Sequence, residues 1–296
     1  MNPTLLHVVI PAYGESRYLR ETLTSAVKFL PPEIPITVIE DPSGKKNLKR
    51  LVEDFPRVEY ILNEKRLGIS GNFTKALKIS RGIFTQICGS DDIFINNPLK
   101  FIEQSSLDLE KVAAVAFNVL VINDKGKKII SIPDVVKRIL RPKFLKSKIF
   151  INKKIFENLM LGDWLYFPAI IWRTKTVTLY EFSGEFHTAM DLDILTRLLG
   201  EDNQIAFING KILGYRRHSQ SASSLYAKST GRFDEEFLCH QNALEIARRK
   251  NWKTGAFLAQ LALTVRLHAI MQSFLMVFTS PLSALKVLVK AISPIR

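Results

Sequence analysis

Short apolar runs alternate, over the first hundred residues, with stretches whose apolar positions recur at helical spacing. Residues 5–10, 36–39, 58–62 and 83–88 read as strands, each soon followed by Gly, Pro, Asp or Asn. Between them, Ser16 is placed to cap a helix running through Phe29, with Leu19, Leu23, Ala26 and Val27 at helical spacing. A basic helix is expected over 45–54, and another over 70–80 carrying Phe73, Ala76, Leu77 and Ile79. Strands and helices alternating in this way predict an α/β fold built on a mostly parallel sheet with right-handed crossovers. Ligands of such sheets bind beyond the carboxyl ends of the strands, so the loops 11–15, 40–43 and 89–92 should gather on one rim.

The second half is less regular. Residues 112–122 form a long apolar strand, and Asn123-Asp124-Lys125-Gly126 reads as a hairpin turn into a strand over 128–132. A segment over 137–154 carries Lys137, Arg138, Arg141 and five further lysines with no acidic residue. It is either a solvated insertion or a surface that meets anionic lipid heads or a phosphorylated acceptor. Residues 166–172 predict a strand whose Pro168 marks an edge or a start. A helix is expected over 187–199, followed by short strands over 205–208 and 212–215. The Ser-rich stretch after His218 has the composition of a lid. Trp164 and Trp172 read as core residues.

Beyond Glu245 the chain has no acidic residue, while Arg248, Arg249, Lys250, Lys253, Arg266, Lys286, Lys290 and Arg296 remain. Leu282, Leu285, Leu288 and Ile292 share one helical face, with Lys286 and Lys290 on another. Such a helix either lies in a membrane interface or packs on the parent domain. The apolar stretch 255–279 is interrupted by Gln260, Arg266, His268 and Gln272, so no clean membrane span is expected, and the N-terminus lacks the pattern of a signal peptide. The expected organisation is one α/β domain over 1–230, divided near residue 100 into a regular first half and a less regular second half. A basic amphipathic helical extension occupies 231–296.

Composition narrows this only slightly. Apolar residues make up 47% and charged residues 24%, which is ordinary for a globular chain. A net charge of +14 predicts attraction to phosphate-bearing partners without choosing among nucleotides, nucleic acid and lipid heads. The two cysteines, Cys88 and Cys239, lack metal-ligand spacing and suit a reducing, cytoplasmic setting.

Candidate chemistry begins at Gly89-Ser90-Asp91-Asp92. Adjacent carboxylates at a strand end resist joint ionisation, and a divalent cation relieves that repulsion; the same residues also make a good turn. In the later helix, Asp191 shares a face with Ile194, Leu195 and Leu198, whereas Asp193 lies about 200° away at roughly 100° per residue. Asp191 is therefore expected to point inward.

The stretches His7-Val8-Val9-Ile10-Pro11-Ala12-Tyr13-Gly14-Glu15, Val38-Ile39-Glu40-Asp41-Pro42-Ser43, Asn63-Glu64-Lys65-Arg66-Leu67-Gly68-Ile69-Ser70-Gly71-Asn72 and Gly89-Ser90-Asp91-Asp92 resemble, in order and separation, those of glycosyltransferase family 2. The resemblance implies a GT-A fold and an inverting transferase that uses a nucleotide-diphospho-sugar, a UDP-sugar first among them, with Mn2+ or Mg2+. It places Pro11, Ala12, Tyr13 and Glu15 in the nucleotide pocket, Asp41 on the base, and Lys65, Gly68 and Asn72 near base and ribose. It also implies that Ser90, Asp91 and Arg217 contact the nucleotide-sugar, that Asp91, Asp92 and His218 hold the metal, and that Asp191 is the catalytic base. Two departures stand out: Gly89 occupies the place of a frequent Asp, and Glu40 replaces the first member of an Asp pair. The acceptor implied is a saccharide or lipid-linked saccharide in cell-surface polysaccharide or glycolipid synthesis, with no nucleic acid involved. Peripheral contact at the inner face of the membrane would run through the basic C-terminal helices. A nucleotidyltransferase and a non-catalytic nucleotide-sugar-binding protein are the alternatives; the first is disfavoured by the lack of a Gly-rich phosphate loop.

Overall fold

The computed structural model of the chain describes residues 4–14, 17–44, 48–105, 107–142, 148–149, 152–221, 226 and 231–295. Glu15, the cap expected at Ser16, the start of the basic helix at 45–47 and most of the Ser-rich stretch therefore lie outside the described residues. The first half runs β1 (Thr4–Tyr13), α1 (Leu19–Phe29), β2 (Ile36–Asp41), α2 (Lys49–Glu53), β3 (Val58–Leu62), α3 (Gly68–Ile79), β4 (Gly82–Ile87), β5 (Ile93–Phe94) and α4 (Pro98–Ser105). There follow β6 (Val112–Ile122), α5 (Ile132–Leu140), β7 (Lys148–Ile149), α6 (Asn152–Leu161), β8 (Ile170–Arg173), α7 (Thr174–Val177), α8 (Met190–Gly200) and β9 (Gln204–Arg216). Four helices close the chain: α9 (Gly231–Arg249), α10 (Lys253–Leu261), α11 (Leu263–Met276) and α12 (Pro281–Ile292).

The strands form one 9-stranded sheet in the order β3-β2-β1-β4-β8-β6-β9-β5, with β7 on β9. β3, β2, β1 and β4 are parallel, as strands joined by crossover helices must be. β8 enters antiparallel between β4 and β6, and β6 then pairs parallel with β9, so the sheet is mixed. Alternation along β1 divides the core. Leu6, Val8 and Ile10 pack with α1 on one face, while Val9 joins the other face with α3, α6, α8 and α9.

Several elements differ from the sequence expectation. β1 continues through Pro11-Ala12-Tyr13, because those residues pair with Ile39, Glu40 and Asp41 of β2. Pro168 sits in a short 3-10 turn, and β8 begins after it. The two short strands expected over 205–215 are one strand, β9, whose register against β6 shifts near Asn118. The Asn123 turn forms, with Asn123 Oδ1 accepting from the Lys125 and Lys127 N–H groups, but only an Ile122–Lys128 bridge follows it. Trp164 and Trp172 are core residues.

Candidate active site

The carboxyl ends of β1, β2, β4, β6 and β9 meet on one rim, and each places a loop there. At β2, Asp41 is buried and accepts from Asn63 Nδ2 at 2.7 Å, from the Leu67 N–H at 3.0 Å and from the Gly68 N–H at 2.8 Å. It thereby satisfies the first amides of α3, where Gly68 has φ +73° and a side chain would strain the backbone. Asn72, expected near base and ribose, has an inward-facing amide. It is buried under Asp41, accepts from Asn63 Nδ2 at 3.0 Å and so braces the loop from below. Lys65 is exposed, and Tyr13 is 53% exposed with the Arg66 guanidinium 4.6 Å from its ring centroid. Pro11 and Ala12 form the adjoining floor in register with Ile39 and Glu40. Glu40 is buried; it accepts from Tyr60 Oη at 2.6 Å and from the Leu48 N–H at 2.7 Å.

The β4 loop carries the paired acids, and they point in different directions. Asp92 is buried, and its Oδ1 accepts the Arg216 N–H at 2.9 Å. Burial and then the adjacent Asp91 raise its carboxyl well above the ordinary range. Asp92 thus fastens the β4 loop to the end of β9, and the metal contact expected of it is not available in this geometry. Asp91 is half-buried and its Oδ2 lies 2.8 Å from His218 Nε2. The other imidazole nitrogen, Nδ1, is buried without a partner. Gly89 is explained here: a Cβ on it would meet Asp91 Oδ1 at 2.6 Å and Asp92 Oδ2 at 3.0 Å. Ser90 is half-buried between them.

Arg216 and Arg217 hold this end in place. The Arg216 guanidinium is bonded to the Asp91 carbonyl at 2.7 Å, the Asp124 carbonyl at 2.9 Å and Glu21 Oε2 at 2.6 Å, and it stacks 4.2 Å from the Tyr18 centroid. Arg217, expected at the diphosphate, makes a two-pronged pair with Asp134 of α5 at 2.7 and 2.6 Å. Tyr166 Oη adds a third bond to Asp134 at 2.8 Å. Burial alone would raise the Asp134 carboxyl, but the bonds from Arg217 and Ser131 outweigh it and hold it below its usual value.

The remaining predicted site residue lies on α8. Asp191 lies in its first turn, half-buried, with Oδ1 accepting the Leu192 N–H at 2.9 Å. Dense packing around the carboxyl, then the charge of Asp163, push it up to about 7, with Lys137 pulling the other way. Lys137 Nζ is 3.1 Å from Asp163 Oδ2 and also reaches the Leu165 carbonyl. Asp193 is not solvent-facing as a lone helical wheel suggests. It is buried against α9 and paired with Arg197 at 2.6 Å. The helix also begins later than expected, because Glu235 of α9 accepts the His187 and Thr188 N–H groups, each at 2.9 Å. Asp163, Lys137 and Glu235 are the residues that the sequence reading did not assign. Each acts on Asp191, or on the helix that carries it, from a distant position in the chain.

Among the described residues no three His, Cys, Asp or Glu side chains are grouped to hold a metal. Asp91 Oδ2 and His218 Nε2 face one another at 2.8 Å, so a cation that displaced the proton between them would gain one carboxylate and one imidazole and take its other ligands from a diphosphate and water.

The sequence model of Glycosyl transferase family 2 matches residues 7–156. The chain is 27% identical over 227 residues to the UDP-Glc:alpha-D-GlcNAc-diphosphoundecaprenol beta-1,3-glucosyltransferase WfgD of Escherichia coli, covering 76% of this chain and 81% of that one. It is 22% identical over 225 residues to an uncharacterised glycosyltransferase of Methanocaldococcus jannaschii, covering 73% and 72%. Its fold is similar to S. aureus TarS 1-349 crystallised with UDP-GlcNAc, at TM-score 0.68 and 16% identity over 98% of this chain and 80% of that one. Against a longer TarS chain the match spans 40% of that chain at TM-score 0.57. With the family's model matched over half its length, the chain belongs to glycosyltransferase family 2.

Proposed function

We propose that this transferase moves a sugar from a UDP-sugar to a hydroxyl of a lipid-linked saccharide, with inversion, and that Asp191 is the base. The observation that carries this reading is the Asp191 carboxyl in the first turn of α8, which burial raises to about 7. A carboxylate of that basicity can take a proton from an attacking hydroxyl near neutral pH, which an ordinary aspartate does poorly. Burial sets most of that basicity, with the charge of Asp163 adding to it and that of Lys137 opposing it. The donor would lie along the β1, β2 and β4 loops, with Tyr13, Lys65 and the Asp41-capped start of α3 at the nucleotide end. A divalent cation, when bound, would be held by Asp91 and His218 and would neutralise the departing diphosphate. Reaching that diphosphate requires Arg217 to part from Asp134. The UDP-sugar and lipid-linked acceptor are supported by the reaction named for the Escherichia coli relative and by the UDP-GlcNAc bound in TarS. A cytoplasmic site at the inner membrane face is supported by the buried free thiols Cys88 and Cys239 and by the basic C-terminus.

The test is a panel of UDP-, GDP- and dTDP-sugars with manganese, read by thermal stabilisation and by transfer to a diphospholipid-linked saccharide. A UDP-sugar should stabilise most. Asp191→Asn should lose transfer by about a thousandfold, with donor-induced stabilisation intact. Equal transfer by D191N would remove Asp191 as the base, and preferential stabilisation by another nucleotide would overturn the donor assignment.

A further inference from the structure

The end of the chain carries an apolar surface that the transferase site does not use. α11 and α12 pack on one another through small residues: Val265, Ala269 and Ser273 are buried on α11, and Ala284, Val287 and Ala291 on α12. Their large side chains point outward instead. Leu267, Met271 and Phe274 form an exposed stripe on α11, and Leu282, Leu285 and Ile292 form another on α12. The amphipathic face of α12 is therefore not the face that packs on the protein. Where the two helices join, a polar turn would be ordinary. Here the junction is Val277-Phe278-Thr279-Ser280, directly after the apolar Phe274-Leu275-Met276 end of α11, with Phe278 94% exposed, and no Asp, Glu, Lys or Arg occurs from residue 267 to 285.

We infer that this helical hairpin is a wedge that inserts its tip into one leaflet of an anionic bilayer. Its dimensions and charges select that occupant. Arg266 lies twelve residues before Phe278 and Lys286 eight after it. At the helical rise these are about 18 and 12 Å from the tip, close to the roughly 15 Å depth of a single hydrocarbon leaflet. The exposed Lys286 thus stands at headgroup level when the phenylalanines are in the acyl region, and Arg266, whose guanidinium is bonded to the Leu261 and Ala291 carbonyls, keeps its charge at the same level. A transmembrane span does not fit. The apolar stretch Lys253–Met276 is broken at Ala262, which has φ +42°, and α10 before the break packs on α6 and α9. α11 alone reaches only about 21 Å of a core about 30 Å thick. A second copy of the chain on this face would bring like charges together, since nothing acidic follows Glu245 and Asp234, beside α12, is already bonded to Lys290. The inference deepens the reading of a lipid-linked acceptor, because a wedge of this kind would hold the rim at the surface where such an acceptor lies.

Sedimentation of the full chain with vesicles tests it, using phosphatidylcholine alone and phosphatidylcholine mixed with phosphatidylglycerol. The wild type should bind the mixed vesicles at least about tenfold more than the neutral ones, and high salt should weaken the binding. Phe274→Asp with Phe278→Asp should reduce that binding by about tenfold or more while leaving the melting temperature and UDP-sugar stabilisation unchanged. Phe278→Trp should show blue-shifted emission that is quenched by lipids brominated along the acyl chain. Undiminished sedimentation of the double variant overturns the inference. So does unquenched Phe278→Trp, or a wild-type dimer that Phe278→Asp splits. Because vesicle binding and donor stabilisation are read separately, failure of the wedge leaves the donor assignment standing, and the converse also holds.

Discussion

Asp191 sits between two opposing neighbours, and that balance makes its behaviour with pH testable. Packing and Asp163 raise its carboxyl to about 7, and Lys137 limits the rise. The ionised form is the base, so transfer should climb with pH through about 7. Asp163→Asn should move that limb to lower pH and Lys137→Met to higher pH, in each case by about half a unit to one unit in a pH–rate profile. The sign for stability is opposite. A carboxyl whose native value is raised contributes stability that is full below its unfolded value, about 4, and lost as pH rises through about 7. D191N should therefore melt above the wild type at pH 8 by a few degrees, on the order of 1–2 kcal/mol, while being inactive. Gly89 gives an independent case. A methyl group there would meet Asp91 Oδ1 at 2.6 Å, so Gly89→Ala should push the Asp91 carboxylate aside and disturb its pair with His218, at a stability cost of about 1 kcal/mol or less. Chemical denaturation and manganese-dependent transfer would measure the two effects.

The start of α8 is where elements depend on one another. The turn leading into it is held by Glu235, which accepts the His187 and Thr188 N–H groups from a position 48 residues beyond His187. Burial would raise the Glu235 carboxyl, but the Thr188 and His187 N–H groups outweigh that and hold it below its usual value. Its contribution is therefore present above the unfolded value, about 4.3, and lost as pH falls through the lower native value. Glu235→Gln should cost about 1 kcal/mol near neutral pH and lower kcat more than KM, since it loosens the helix that aims Asp191 without touching the donor. This dependence also marks where sequence reading stops. The four parallel strands and their rim were legible, because each apolar run has the period of a strand and ends in Gly, Pro, Asp or Asn. The rim acids were legible as a group, though not the inward turn of Asp92, which follows from the Arg216 amide on β9. Asp193 was misread because a single helical wheel assumes one buried face, and α9 covers the other. β9 was read as two strands because Asn209-Gly210 looks like punctuation, yet β6 carries the pairing through it. Among the C-terminal helices the amphipathic stripe was visible. Which stripe packs inward was not, since Ala284, Val287 and Ala291 give a weak signal beside leucines.

At the scale of the whole molecule, the division expected at residue 230 does not correspond to a division of the core. Phe233, Phe237, Cys239 and Ala243 of α9 share one hydrophobic cluster with Ile194 and Leu198 of α8 and Trp172 of β8. Ala259 and Val265 extend it onto α10 and α11. Ile246 closes over Gly200 so tightly that a Cβ there would lie 2.6 Å from its Cγ2. A chain ending at residue 230 would therefore expose the far side of α8, lose the Glu235 bonds and leave Asp193 and Arg197 uncovered. Each buried Phe or Leu contributes about 1.5–3 kcal/mol, so the loss from α9 alone is comparable to the entire 5–15 kcal/mol that typically holds a domain together. Such a chain should aggregate or stay unfolded by circular dichroism and show no UDP-sugar stabilisation, whereas the wedge variant Phe278→Asp keeps both properties. The full chain should melt in one calorimetric transition that UDP-sugar shifts as a whole. Two separable transitions, or a soluble and donor-binding fragment over 1–230, would instead make the C-terminal helices an independent appendage. A single transition places the catalytic helix and the helices behind it in one cooperative unit, with only the α11–α12 tip left over for the membrane.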